Sequence, residues 1–207
     1  MYDIPYFKAE HPEEVLAYMK AHPFALICGV DPNRKPVATQ IPVLFENRDD
    51  RLFIQGHFMK KQDHTNAFMA HPDALVIFSG AHTYVSASWY ENKQTASTWN
   101  YQSVQASGVL RFRDPEFLLG VITRLTETFE TPGSPSLVQK MDPAYVQQMM
   151  QAIVAFEMEV LSVRHVFKLS QNRDEKSRNN IISQLHQQGA DASEIAFAME
   201  GKNKIIS

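Results

Sequence analysis

Between Phe24 and His57 the chain spells short apolar runs divided by tight polar breaks, and this punctuation constrains the fold more than any other feature. The run FALICGV, Phe24 to Val30, is too short for a stable helix and reads as a buried strand. DPNRKP then makes a turn, with proline and asparagine where turns use them. Val37, Thr39, Ile41, Val43 and Phe45 alternate with Ala38, Gln40, Pro42 and Leu44, which is the two-residue period of a strand. Pro42 has no N–H to give a ladder, so an edge or a bulge is expected there. After a further turn, ENRDD, a strand runs from Arg51 to His57. Strands joined this closely predict an antiparallel meander.

The remaining elements follow from the same signals. Pro12, Glu13 and Glu14 open a helix, with proline in the first turn and acids on the dipole, and His22-Pro23 ends it. A short helix is expected near Asp63 to Ala70, then strands at Ala74 to Ser79, His82 to Tyr90 and Trp99 to Phe112. DPEFLLGVITRLTETFE is an amphipathic helix capped by Asp114, and another helix covers Ala144 to Ala152. Val154 to Val160 reads as a long strand with one wetter face, and helices at Asp174 to Gln187 and Ser193 to Met199 finish the chain. Six to eight strands with short connections predict an α+β fold, mostly antiparallel β, rolled into a closed or nearly closed barrel with peripheral helices and a C-terminal helical pair. One domain is expected over 1–207, with the barrel in 1–173 and the helical appendage in 174–207.

Composition removes several classes of function. A net charge of −3 creates no field that recruits nucleic acid or an anionic membrane. The single cysteine, Cys28, cannot form an internal disulfide and reads as a small core residue. The N-terminus lacks the build of a signal peptide, and no run of about 18 apolar residues occurs, so a cytoplasmic protein without a membrane span is expected. His57, His64 and His71 recur at a spacing that zinc pairs do not use, so no metal site is expected. P-loop, G-x-G-x-x-G and G-x-S-x-G patterns are absent, and no residue stands out as a catalytic acid or base. The last helix is acidic and apolar, which argues against direct DNA binding and for a packing role.

Chemistry concentrates elsewhere. Phe78 to Tyr101, FSGAHTYVSASWYENKQTASTWNY, holds both tryptophans of the chain among groups that must hydrogen-bond, including His82, Ser86, Ser88 and Asn100. Such a stretch suits a planar, polar-edged ligand, and it equally suits a hairpin on a barrel wall whose aromatics are core. Lys60 and Lys61 lie between a strand end and a helix start, where amides and positive charge can hold a phosphate; a pair of solvated lysines is the plainer reading. KLSQNR gathers Lys168, Ser170, Gln171 and Arg173 just where apolar alternation stops, as either a ligand grip or a turn into the last helices.

Taken in order, GHFMKK (Gly56 to Lys61), ALVIFSGAHTYVSASWY (Ala74 to Tyr90), STWNY (Ser97 to Tyr101) and FKLSQNR (Phe167 to Arg173) resemble the PaiB-type FMN-binding negative transcriptional regulators over nearly the whole chain. The resemblance implies a split β-barrel related to pyridoxamine-phosphate oxidases and flavin reductases. It further implies a homodimer with FMN in a groove shared by the subunits; NADH or NADPH is the expected partner if the protein is a flavin-dependent reductase. By the same carry-over Lys60 meets the FMN phosphate in place of the family's arginine, keeping the charge but losing the bidentate fork. His57, Lys61, His82, Ser86, Ser88, Trp89, Tyr90, Trp99, Asn100, Lys168, Ser170, Gln171 and Arg173 complete the expected flavin contacts. Ala87 and Ser97 depart from the family by standing where it has prolines. Three functions compete: a flavin-dependent oxidoreductase, a regulator without an evident DNA-binding helix, and a barrel that binds haem instead.

Overall fold

Pro42 decides how the sheet is built. The computed structural model describes residues 1–203, with helices α1 (Pro12–Ala21), α2 (Asp63–Ala70), α3 (Pro115–Phe129), α4 (Pro143–Met150), α5 (Glu175–Leu185) and α6 (Ala190–Asn203). Its strands are β1 (Phe24–Val30), β2 (Pro36–Pro42), β3 (Leu44–Arg48), β4 (Arg51–Met59), β5 (Asp73–Val85), β6 (Thr98–Phe112) and β7 (Ile153–Lys168). β1 pairs antiparallel with β2, Phe24 opposite Pro42. At Pro42 the chain leaves that ladder. Val43 turns into the core, and its N–H donates to the Pro23 carbonyl at 2.9 Å. The chain starts again at Leu44 as β3, which pairs with β4.

The sheet order is β2-β1-β5-β6-β7-β4-β3, so strands consecutive in sequence occupy opposite edges. In a flat sheet of this width those edges would lie about 29 Å apart. A single residue between them spans only about 7 Å. The sheet must therefore roll until its edges approach. Gly56 on β4 records the approach: an added Cβ would stand 2.9 Å from the Phe156 ring and 3.3 Å from the Pro42 carbonyl oxygen. The expected meander is thus corrected. The break at Pro42 splits one expected strand into two and sends them to different neighbours. The architecture is the expected α+β split barrel with peripheral helices.

Other boundaries shift for local reasons. The strands expected at Ala74 to Ser79 and His82 to Tyr90 are one continuous β5, which stops at Val85 because Ser86 caps a 3-10 turn at Ala87–Trp89. β7 continues to Lys168, well beyond the expected strand end.

The described chain divides into two compact units, to which β5, β6 and β7 each contribute residues. The first comprises Met1–Ala17, Ser79–Val104 and the residues from Arg164 onward; the second comprises Tyr18–Phe78 and Gln105–Val163. Phe58 organises the second unit, stacked at 4.6 Å on Phe156 and 5.6 Å on Phe68, with Phe112 edge-on. The other face of the same strands lies under α3, whose N-terminus Asp114 caps through the Phe117 N–H at 2.8 Å. Leu118, Val121 and Leu125 of α3 pack with Ala155. The wetter face expected for β7 is therefore covered at Ala155 and Glu157. In the first unit α5 and α6 wrap Val85, Tyr90 and Leu169 through Ile181, Leu185, Ile195 and Met199, which makes the helical pair a packing element.

Candidate functional site

In the first unit β5 and β6 sort the aromatic stretch into two populations by the period of the strand. On β5, Thr83 and Val85 are buried while His82 and Tyr84 are exposed; on β6, Asn100 is buried and Trp99 exposed. The outward set forms a groove of about 360 Å3 lined by Ser79, Gly80, His82, Trp99, Tyr101, Gln102 and Ser103. The His82 and Trp99 rings are 5.9 Å apart, and Tyr84 meets Trp99 edge-on at 5.9 Å. Burial, and then the nearby Tyr2 phenol, pushes the Tyr101 hydroxyl up, so it remains a hydrogen-bond donor. Aromatic walls with a hydroxyl, amide and imidazole rim fit a planar heterocycle with carbonyl edges.

The inward set holds the unit together. Asn100 is fully buried, accepting from Ser170 Oγ at 3.0 Å and donating to Met199 Sδ at 3.4 Å. Ser170 holds a left-handed backbone, φ 59°, inside the turn that ends β7. Gln171 folds back on that turn, its Oε1 accepting from the Leu169 N–H at 2.8 Å and its amide donating to the Phe167 carbonyl. Ser86 and Ser88 hydroxyls bond each other at 2.8 Å. Trp89 gives its carbonyl to Asn180 at 3.3 Å, and Tyr90, 1% exposed, lies in the helical core with no hydrogen-bond partner for its hydroxyl among the described residues. The loop they belong to is tied to α5 by the Glu91 N–H on Ser177 Oγ at 2.9 Å and by the Lys176–Glu91 ion pair at 2.8 Å.

Lys168 and Arg173 differ from every other polar group of this turn. The Lys168 ammonium donates to Thr98 Oγ1, with the rings of Tyr2 and Phe7 at 5.7 and 5.8 Å. The Arg173 guanidinium lies 4.2 Å over the Tyr90 ring and donates to Thr95 Oγ1 at 3.2 Å. No carboxylate of the described residues forms an ion pair with either cation. Burial, and then the neighbouring Arg173 charge, lowers the Lys168 pKa. Lys168 and Arg173 stand near each other with no ion pair among the described residues, which leaves them open to an anion, although the Arg173 charge also adds, after the Ser177 hydrogen bonds, to the lowering of the neighbouring Asp174 pKa.

The second unit places the other expected residues. Lys60 and Lys61 are exposed at the turn into α2, where the Lys60 N–H donates to the Ala152 carbonyl at 2.9 Å and its ammonium approaches the Met150 carbonyl at 3.4 Å. Neither forms an ion pair among the described residues. His57 stands opposite Ala155 on the face that α3 covers, its Nδ1 buried with no hydrogen-bond partner among the described residues, and burial lowers its pKa. Cys28 is half-buried on β1 beside a groove of about 550 Å3. Burial pushes its thiol up, which leaves it a poor nucleophile.

The expected flavin contacts left out Tyr101, Thr95, Thr98 and Tyr2, although Thr98 is one of the hydrogen-bonding groups of the aromatic stretch. Tyr101 was within reach, since it follows Trp99 at the strand period. The threonines and Tyr2 become partners of Lys168 and Arg173 only through folding.

The rolled sheet, with an aromatic groove on its first unit, is that of a split-barrel protein. The chain belongs to the family described as "Putative FMN-binding domain", whose model matches residues 1–162. FMN is the cofactor of that family, as the motifs lead one to expect. The chain is 34% identical over 206 residues to the Protease synthase and sporulation protein PAI 2 of Bacillus subtilis, covering 99% of both chains, so the resemblance to PaiB-type proteins holds. It is also 26% identical over 164 residues to an uncharacterized protein of Emericella nidulans, covering 71% of this chain and 65% of that one. Solved structures share the fold. A conserved hypothetical protein from Mycobacterium tuberculosis superposes with a TM-score of 0.57 at 14% identity, covering 80% of this chain and 89% of that one. An FAD and haem binding protein from Mycobacterium smegmatis superposes with a TM-score of 0.56 at 18% identity, covering 77% and 72%. Among the described residues no helix is long and apolar enough to cross a membrane.

Proposed function

We propose that this protein is a homodimeric FMN-binding oxidoreductase that takes electrons from a nicotinamide donor. The observation that carries the reading is the Lys168 and Arg173 pair, which has hydroxyls and aromatic rings for partners and, among the described residues, forms no ion pair with a carboxylate. FMN answers each feature with matching chemistry: a dianionic phosphate, a flat ring system and a carbonyl-bearing pyrimidine edge. The residues therefore fit the group. Trp99 and His82 offer the ring its wall, while Tyr101 and Ser103 offer hydrogen bonds to its edge. Lys168 and Arg173 supply positive charge, and Lys60 remains the candidate cation for the phosphate. Asn100, Ser170, Gln171, Ser86, Ser88, Trp89 and Tyr90 hold these groups in place from behind. Bound flavin supplies reversible two-electron redox chemistry, and the protein's cations and dipoles tune it.

The test is an FMN titration followed by quenching of flavin fluorescence, with the parent and a Lys168→Met, Arg173→Met double variant. Loss of charge-assisted contacts weakens binding roughly tenfold or more. Equal affinity in both proteins would sink the site assignment. Flavin bound without oxidation of NADH or NADPH would remove the enzymatic half and leave a flavin-binding regulator.

A second reading rests on His82, which is exposed at the groove and, among the described residues, engaged by no hydrogen bond. An imidazole in that state can ligate haem iron. A Soret band in haem-loaded protein that disappears in His82→Ala supports it, and an unchanged band removes it.

A further inference from the structure

Residues at the N-terminal end of the first unit lie against Lys168, and they are held unequally. From Pro5 onward the segment is pinned. Pro5–Phe7 form a 3-10 turn, and Phe7 is 4% exposed. The Lys8 ammonium donates to the His165 carbonyl at 3.2 Å, and the Ala9 N–H donates to His165 Nε2 at 2.8 Å. Tyr2 lies ahead of these anchors and is 53% exposed. The ion pair next to it, Asp3 with Lys8 at 2.9 Å, closes within the segment itself.

Tyr2 nevertheless lies beside the Lys168 ammonium. Its ring centroid is 5.7 Å from Lys168 Nζ, on the same ammonium that Phe7 approaches from its own fixed position at 5.8 Å. Its phenol is also close enough to Tyr101, a residue of the groove, to help raise that hydroxyl's pKa. Tyr2 thus stands by the cation, ahead of the anchors that pin the rest of the segment. A ring face holds an ammonium more weakly than a phosphate oxygen does. An arriving anion therefore outcompetes Tyr2, whereas buried Phe7 stays.

We propose that Tyr2 is a movable wall of the Lys168 end of the site: its ring shields the ammonium in the free protein and swings aside when an anionic group of the ligand arrives, which makes Tyr2 a determinant of which anions enter. That the anion is the phosphate or ring edge of a flavin rests on the functional reading above; the shielding itself does not.

The experiment labels the lysines of the intact protein with trinitrobenzenesulfonate, an anionic amine reagent, and follows Lys168 by peptide mass mapping with exposed Lys20 as internal reference. In Tyr2→Ala, Lys168 is expected to react roughly two- to fivefold faster, from the size of a cation–π contact at an exposed site. Lys20 should be unchanged, and Tyr2→Phe, which keeps the ring, should match the parent. Equal Lys168 rates in parent and Tyr2→Ala overturn the proposal, as does a Tyr2→Phe protein that reacts as fast as Tyr2→Ala. FMN titration of the same proteins keeps the two readings apart. Faster labelling in a protein that binds no FMN preserves the movable wall and defeats the flavin assignment; unchanged labelling in an FMN-binding protein does the reverse.

Discussion

Two regions, one in each unit, treat positive charge in opposite ways. Under α3 in the second unit, Glu157 is 7% exposed and accepts from Arg113 at 2.6 Å, Arg48 at 3.2 Å and the Gln55 amide at 2.8 Å. Gln55 also donates to Glu46 at 2.6 Å and accepts from Arg124. Arg48 and Arg113 lie over the Phe53 and Phe117 rings, at 4.1 and 4.2 Å. Every charge there meets an opposite charge within its own unit. In the first unit Lys168 and Arg173 meet hydroxyls and rings instead. A closed network spends its charge on the fold, while an open one keeps its charge for something that arrives from outside. Both regions are rich in cations and aromatics, so composition alone does not separate them.

The strongest way to break this contrast is Glu157→Ala. It strips Arg48 and Arg113 of their buried partner, and breaking a buried pair costs about 3 to 5 kcal/mol. Arg48 and Arg113 keep partial contact with water and soften the loss, so about 2 kcal/mol is expected in urea unfolding. A loss below about 0.5 kcal/mol would show that the network is ornamental.

A smaller effect should appear in the pH dependence of ligand binding. Burial and Arg173 lower the Lys168 pKa from its ordinary 10.5, so the ammonium releases its proton earlier than a free lysine does. Anion affinity is complete below that lowered pKa and falls as pH rises through it, with the decline starting short of the usual lysine range. Its depth is up to about tenfold. Lys168→Arg, which does not titrate there, should abolish the decline. An identical decline in Lys168→Arg would assign it to another group.

The mildest effect concerns His57. Burial lowers its pKa below 6.5, so on acidification the unfolded chain takes up a proton first. Stability is therefore complete above about 6.5 and is lost as pH falls from there through the folded pKa. His57→Leu should flatten this part of the acid limb and change stability at neutral pH by less than about 1 kcal/mol, since it also removes an unpartnered polar atom. A variant with the parent's acid limb would place the acid sensitivity elsewhere.

What the sequence revealed follows the range of the interactions involved. Local patterns were legible: alternation set the strands, Asp114 with Pro115 set the start of α3, and Pro42 announced a break. The destination of that break was not legible, because an edge strand's neighbour is chosen by the whole sheet. The four motifs carried the family and its cofactor. They did not separate Trp99 and His82, which face outward, from Tyr90 and Asn100, which the core absorbs. Nor did they show that Gln171 and Ser170 turn inward while Lys168 and Arg173, among the described residues, form no ion pair. Glu157 meets Gln55 across 102 positions of chain, and no local signal announces that meeting.

Val43, the lone residue between β2 and β3, has a further consequence. Slipping β2 by one place along β1 would drag Val43 out of its buried seat and push β3 by the same step along β4. Because side chains alternate in direction, such a slip would turn every inward residue of both strands outward. A mistake in one ladder is thereby penalised in two, and this single valine fixes the register on both sides of the seam.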